Sequence, residues 1–296
     1  MIGLGSLIKR NTKMFFKDKG LFFTSLITPL ILLVLYATFL GNVYHDSFAM
    51  AFPEGITVPE KLLDAAVGGQ LISSLLAVCC VTVAFCSNML MVQDKVSGAK
   101  KDLTITPVKS TTMALGYYIS TLISTLLICF LATGAGFLYL GKVGWYLSSE
   151  DVAFILLDVF LLVMFGVALS SIINFFLSSQ GQISAVGSIV SSMYGIICGA
   201  YMPISQFSKG LQNVLAFSPG TYATSLLRNH SLRGVFTELE LEGYPSEIIT
   251  ALEDVVDCNI YFFDNIVEIS TMYTVLGGSV VVLVAIYVVM NIVKKK

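Results

Sequence analysis

The sequence predicts an all-α integral membrane protein. It reads as six transmembrane helices with an N-terminal amphipathic interfacial helix and a re-entrant outer segment between spans five and six. Three observations carry this. Hydrophobic residues fill 56% of 296 positions and charged residues only 12%, about half the charge of a soluble domain. The apolar residues gather into six runs of membrane-spanning length. The lysines and arginines cluster between those runs on alternate sides.

Residues 1–20 form the entry segment, with an amphipathic helix predicted over 4–17. At 100° per residue, Leu4, Leu7, Ile8, Met14 and Phe15 share one face, and Lys9, Arg10, Lys13 and Lys17 the opposite one. That pattern suits a helix lying in the membrane surface. The following apolar run is too long for a signal peptide. The spans are predicted over 21–41, 70–92, 112–140, 152–177, 183–202 and 271–293, with Pro29 inside the first. Between the first two lies a polar loop, 42–69. Between the second and third lies the basic segment 93–111. Residues 178–182 are a tight polar turn, and 203–270 form an outer segment and cap.

Six spans put both termini on one side. The N-terminal segment, the 93–111 loop and the C-terminus hold 12 of the 17 basic residues. The other loops hold Lys61, Lys142, Lys209, Arg228 and Arg233 beside fifteen acidic residues. The positive-inside rule then makes the first set cytoplasmic. Within the outer segment, 203–234 carries short apolar stretches, including Phe207 and Leu211, broken by Pro203 and Pro219. Each is too short to span, which predicts short re-entrant or interfacial helices. The acidic part, 237–268, is predicted to hold a helix near 245–256.

Few residues suggest chemistry. No Gly-x-x-x-x-Gly-Lys-[Ser/Thr] loop is present, so ATP binding by that route is not expected. His45 and His230 both fall in loops, and no Cys/His set has metal-ligand spacing. Nucleic acid is excluded, because no basic stripe of the needed density occurs. Asp158 lies inside the fourth run; its position near one end favours the outer interface over a coupling role. Asn88 and Asn174 fall near the opposite ends of their spans, where solvation suffices to explain them. In the fifth run Gly187, Ser191, Gly195 and Gly199 recur every four residues, a stripe for close helix packing. Ser188, Ser192 and Tyr194 on the next face are candidate polar spots on a substrate path. Of six cysteines, only Cys258 lies in a polar region.

Two stretches carry a resemblance. Residues 93–108, QDKVSGAKKDLTITPV, and 199–228, GAYMPISQFSKGLQNVLAFSPGTYATSLLR, resemble the corresponding segments of type-2 ABC transporter permeases. In the first, Asp94 and Lys95, Gly98, Asp102 with Leu103, and Thr106-Pro107-Val108 match the family pattern. In the second, Pro203-Ile204, Pro219, Thr221-Tyr222 and Leu227-Arg228 match. Ala99-Lys100 departs from it, standing where an acidic residue and Thr are common. The resemblance implies two six-span subunits, as a homo- or heterodimer, above two separate ABC ATPase subunits that hold the ATP and Mg. It implies no enzyme activity and no cofactor in this chain. The coupling residues it implies are Asp94, Lys95, Gly98, Lys100, Lys101, Asp102, Thr106 and Pro107, with Lys9, Arg10 and Lys13 of the entry helix. The outer segment it implies includes Pro203, Phe207, Leu211, Pro219, Tyr222 and Arg228.

The reading is therefore an ATP-driven exporter in the cytoplasmic membrane, in contact with membrane lipid. An apolar interior favours a drug, peptide or lipid-like cargo. The alternative is a non-transporting adaptor or immunity protein whose cap binds a peptide or wall precursor.

Overall fold

The computed structural model describes residues 3–50, 52, 58–106 and 108–293. Glu54, Pro107 and the terminal lysines 294–296 lie outside the described residues. Helix α1, Leu4–Lys17, lies against the start of the bundle. Helix α2, Lys19–Leu35, continues through a π-helical turn, Tyr36–Leu40, into α3, Gly41–Met50. Then come α4, Glu60–Val96, the short α5, Ala99–Ile105, and α6, Ser110–Val143. Helices α7, Ser149–Phe176, and α8, Gln180–Ile197, follow.

A 3-10 turn, Ile204–Gln206, and α9, Lys209–Leu215, lead to α10, Pro219–Leu241. Helix α11, Ser246–Val255, and a two-residue hairpin, β1 Tyr261–Phe262 with antiparallel β2 Asn265–Ile266, precede α12, Ile269–Val293. Among the described residues, five helices are long and apolar enough to cross a membrane: Lys19–Met50, α4, α6, α7 and α12.

Helix α4 is the axis. Helices α2, α6, α7, α8 and α10 all pack on it, and its 37 residues rise about 55 Å. That exceeds the roughly 30 Å hydrocarbon layer, so part of α4 stands beyond it. The projecting part explains why 42–69 is not a simple loop. Gly41–Met50 is helical, and α4 begins at Glu60 with Leu62, Ala65 and Ala66 buried. Leu62 and Ala66 share a contact region with Phe236 and Leu239 of α10.

The outer segment also differs from expectation. Only its first part is short pieces. From Pro219, at the first turn as proline prefers, one 23-residue helix runs to Leu241. It lies antiparallel to the projecting part of α4 and packs on α7 and α12. Two glycines set its distance. A Cβ on Gly69 would meet the Ser231 carbonyl oxygen at 2.9 Å, and one on Gly234 would meet that of Tyr146 at 1.8 Å. Here Pro219 starts a helix, while Gly220 and Gly234 mark close approaches to Tyr194 and Tyr146 rather than breaks.

The predicted fifth span, 183–202, ends early. Gly199 has φ +77°, a left-handed conformation that glycine adopts freely. The Tyr201 N–H returns to the Gly195 carbonyl, closing the helix at Ile197.

Gly234→Ala is expected to destabilise the purified protein by about 1–3 kcal/mol, read as a lower thermal midpoint. Gly141→Ala, whose added Cβ meets nothing within 4 Å, should leave the midpoint unchanged.

Candidate functional site

At the loop end, α1, α5 and the adjoining ends of α4, α6, α7, α8 and α12 come together. The buried face of α1 is Leu7, Asn11 and Phe15, three residues at helical spacing. Leu7 packs against Gly116 of α6. Met14, read as part of the apolar face, is exposed, as are Lys9, Lys13 and Lys17.

Arg10 breaks the expected pattern. Its guanidinium turns inward and donates to both carboxylate oxygens of Asp94, at 2.6 and 3.0 Å. The Tyr117 hydroxyl donates to the same carboxylate at 2.6 Å. The bond to Asp94 holds the Arg10 guanidinium above its ordinary pKa, against the opposing effect of burial. Asp94 is 2% exposed, so a carboxylate assigned to a partner surface is spent inside the chain. Lys95 likewise turns inward. Its ammonium donates to the carbonyls of Asn174, Phe175 and Leu177 at 2.8, 2.8 and 2.9 Å, where a cation suits the end of α7.

Gly98, at φ +83°, turns the chain out of α4 and into α5. No residue of α5 is buried. Lys101, Asp102 and Thr104 are exposed, Lys100 is partly so, and Thr106 beyond the helix is exposed. Ile105 is 84% exposed. The sequence does not single it out, because the 93–111 loop also holds Val96, Leu103 and Val108.

The face of α8 opens on a groove of about 1030 Å³ shared with α2. Gly187, Ser188, Ser191 and Ser192 line it opposite Thr24, Thr28 and Ile31. Ser188 and Ser192 bond back to carbonyls of their own helix. The glycine stripe is not one packing face. Gly187 abuts Met89 of α4, Gly195 abuts the Tyr201 ring, and Gly199 closes the helix. Tyr194 is buried against Gly220 and does not line the groove.

At the other end, Arg228 is fully buried rather than part of a surface segment. It donates to Asp257 at 2.9 Å and to the Gly199 carbonyl. Asp257 also accepts from the backbone N–H groups of Ile204 and Ser205. Ile204 is buried beside Pro203, and Tyr222 of α10 is buried; Phe207 is half-buried. Leu211, Val214 and Phe217 present an exposed apolar edge. His230, read as a loop residue, is buried on α10 with Nδ1 2.7 Å from Asp158, which also accepts from Tyr273 at 2.6 Å. At about 1.5 Å per residue, Asp158 stands roughly 27 Å along α7 from Phe176. That places it near one edge of the hydrocarbon layer, yet buried. Asn88 is not solvated either: its amide donates to Ser170 and Ser171. Cys258 is buried under the cap, which pushes its thiol up.

This geometry is an apolar helical bundle with an exposed charged helix at one end and a groove along its side. The ABC-2 type transporter family matches residues 3–230. The chain belongs to that family. It is therefore the membrane permease of an ABC transporter, in a context that implies an ATPase partner. Among curated proteins and among solved structures, nothing matches this chain.

Asp94→Leu in the permease should lower the thermal midpoint by the equivalent of about 1–3 kcal/mol, since Arg10 loses its partner in a part-buried site. Arg10→Met/Asp94→Leu should recover much of that loss. A double variant as unstable as the sum of the singles would show that the two residues are not coupled.

Proposed function

We propose that this permease is the membrane half of an ATP-driven exporter for hydrophobic or amphipathic cargo. The observation that carries the reading is the division of charge around α5. Arg10, Asp94 and Lys95 are bonded inward, while Lys101, Asp102 and Ile105 face outward on a helix that buries no residue. A helix fastened at its root and exposed along its length suits a lever for a partner. The partner ATPase supplies the ATP, Mg and hydrolysis; this chain acts as no enzyme by itself. Lys100, Lys101, Asp102 and Thr106 meet the ATPase, with Lys9 and Lys13 of α1 beside them.

A second permease copy or homologue covers the α2–α8 groove, whose serines, threonines and apolar residues suit an amphipathic path. Helix α8 makes the sixth crossing. Its 18 residues rise about 27 Å, close to the roughly 30 Å needed. Both termini lie in the cytoplasm of a plasma-membrane protein, as the basic residues favour.

Orientation is checked by impermeant thiol labelling of intact cells. A cysteine at Glu247, exposed on α11, should label from outside. One at Ser97 should label only after permeabilisation. The buried native Cys258 should stay silent in both. Labelling at position 97 from outside overturns the orientation.

Coupling is checked by substrate efflux beside pull-down of the ATPase. Lys100→Glu/Lys101→Glu replaces attraction by repulsion at a complementary partner surface. It should insert normally and lose export, with the ATPase either released or hydrolysing without transport. Gly98→Pro cannot adopt φ +83°, so it should reduce export with expression intact. Wild-type export by both variants, with the partner bound, would remove α5 from the mechanism.

A further inference from the structure

We propose that the loop end holds a binding site for the phosphate headgroup of an anionic phospholipid. A cavity of about 530 Å³ opens between α5 and the ends of α4, α6, α7 and α12. This size suits a small-molecule site. Lys100 and Lys109 give it cations and Ser110 a hydroxyl; the Thr104 and Thr106 hydroxyls on its rim donate to the Lys101 and Leu103 carbonyls. Met91, Met113, Phe175 and Tyr287 give it an apolar floor. Among the described lining residues none is acidic. Asp102 lies on α5 without lining it, and the Asp94 carboxylate nearby is bonded to Arg10 and Tyr117.

The two halves of that lining choose the ligand. A cationic, hydroxyl-bearing rim suits a phosphate ester. Basic pockets between membrane helices at the cytoplasmic surface suit lipid headgroups. The apolar floor has no use for a free phosphate ion but suits a glycerol backbone and the first methylenes of its chains. Helices α6 and α12 leave the apolar layer here, so a lipid of the adjoining leaflet reaches the cavity from within the membrane. Its headgroup would touch α5 on one side and Tyr117, itself part of the Arg10–Asp94 clasp, on the other. A bound lipid thus braces the exposed helix against the bundle. The proposal rests on this end lying at a membrane surface and not on ATP-driven transport, so efflux results and lipid results fail separately.

The test is native mass spectrometry of the full-length detergent-solubilised permease titrated with phosphatidylglycerol, phosphatidylcholine or inorganic phosphate. Wild type should bind phosphatidylglycerol in preference to phosphatidylcholine. Lys109→Gln should weaken that binding about fivefold, as expected for one lysine at an anionic surface. Lys142→Gln, exposed at the other end of α6, should leave it unchanged. Millimolar inorganic phosphate should not displace the lipid. Equal binding by wild type and Lys109→Gln overturns the proposal, as does equal binding of phosphatidylcholine. Displacement by phosphate alone would make this a free-anion site instead. Amine-reagent labelling of Lys109 gives a second readout. Protection by the partner ATPase, with none from phosphatidylglycerol, would make the cavity a protein-docking site.

Discussion

The permease is packed around one helix that approaches its neighbours largely through small residues. Helix α4 is rich in alanine, cysteine, serine, glycine and valine along its buried length. In lipid there is no water to expel between helices, so association relies on close van der Waals contact. Small residues provide it. A Cβ on Gly166 of α7 would stand 3.1 Å from the Val81 Cα and 3.2 Å from the Cys80 carbonyl. Gly136 of α6 meets Ile72, and Gly187 of α8 meets Met89. The contacts of α4 with α6, α7, α8 and α10 each have a glycine on one side or the other, and those approaches set much of the bundle's cross-section.

Polar residues then fix what packing leaves free. They gather in two layers at the two ends of α4. At the loop end, Arg10, Asp94, Tyr117 and Lys95 tie α1, α4, α6 and α7 together. At the cap end, Arg228 and Asp257 join α10 to the start of the outer segment, and Asp158, His230 and Tyr273 join α7, α10 and α12. A buried ion pair is weak evidence for net stability, because desolvation offsets attraction. Its directional bonds do specify register. These two layers therefore hold the bundle to one alignment, with small hydroxyls such as Thr82, Ser124 and Thr125 buried between them.

Much of this was legible. The α1 boundaries and the basic segment followed from charge and helical period alone. The all-helical membrane class followed from composition. What the sequence leaves hidden shares one cause. A helical wheel treats charge as outward, so it groups Arg10 with Lys9 and Lys13. Its partner Asp94 is 84 residues away and was itself assigned to a partner surface. His230 and Asp158 are separated by 72 residues; each looked like an isolated loop or interface group. Gly199 fell on the four-residue stripe by spacing, but spacing cannot distinguish a packing glycine from one that ends a helix. Single-residue periodicity reports faces, and pairing across distant segments is invisible to it.

The lever role proposed for α5, a helix of seven residues, has a physical basis in the arrangement of the loop end. A short helix has little stability of its own. Helix α5 buries no residue, so its position depends on its roots. One root is Gly98, whose left-handed turn joins it to α4 within two residues of Val96. Just before that turn, Lys95 is locked to the end of α7 and Asp94 to α1 and α6. A push on α5 therefore meets a joint bonded to three other helices rather than a loose loop. In the proposed mechanism displacement passes into α4, which also carries α10 beneath the cap, together with α7 and α12. With α4 continuous from Val96 to Glu60, movement at the charged end has a rigid route to the cap.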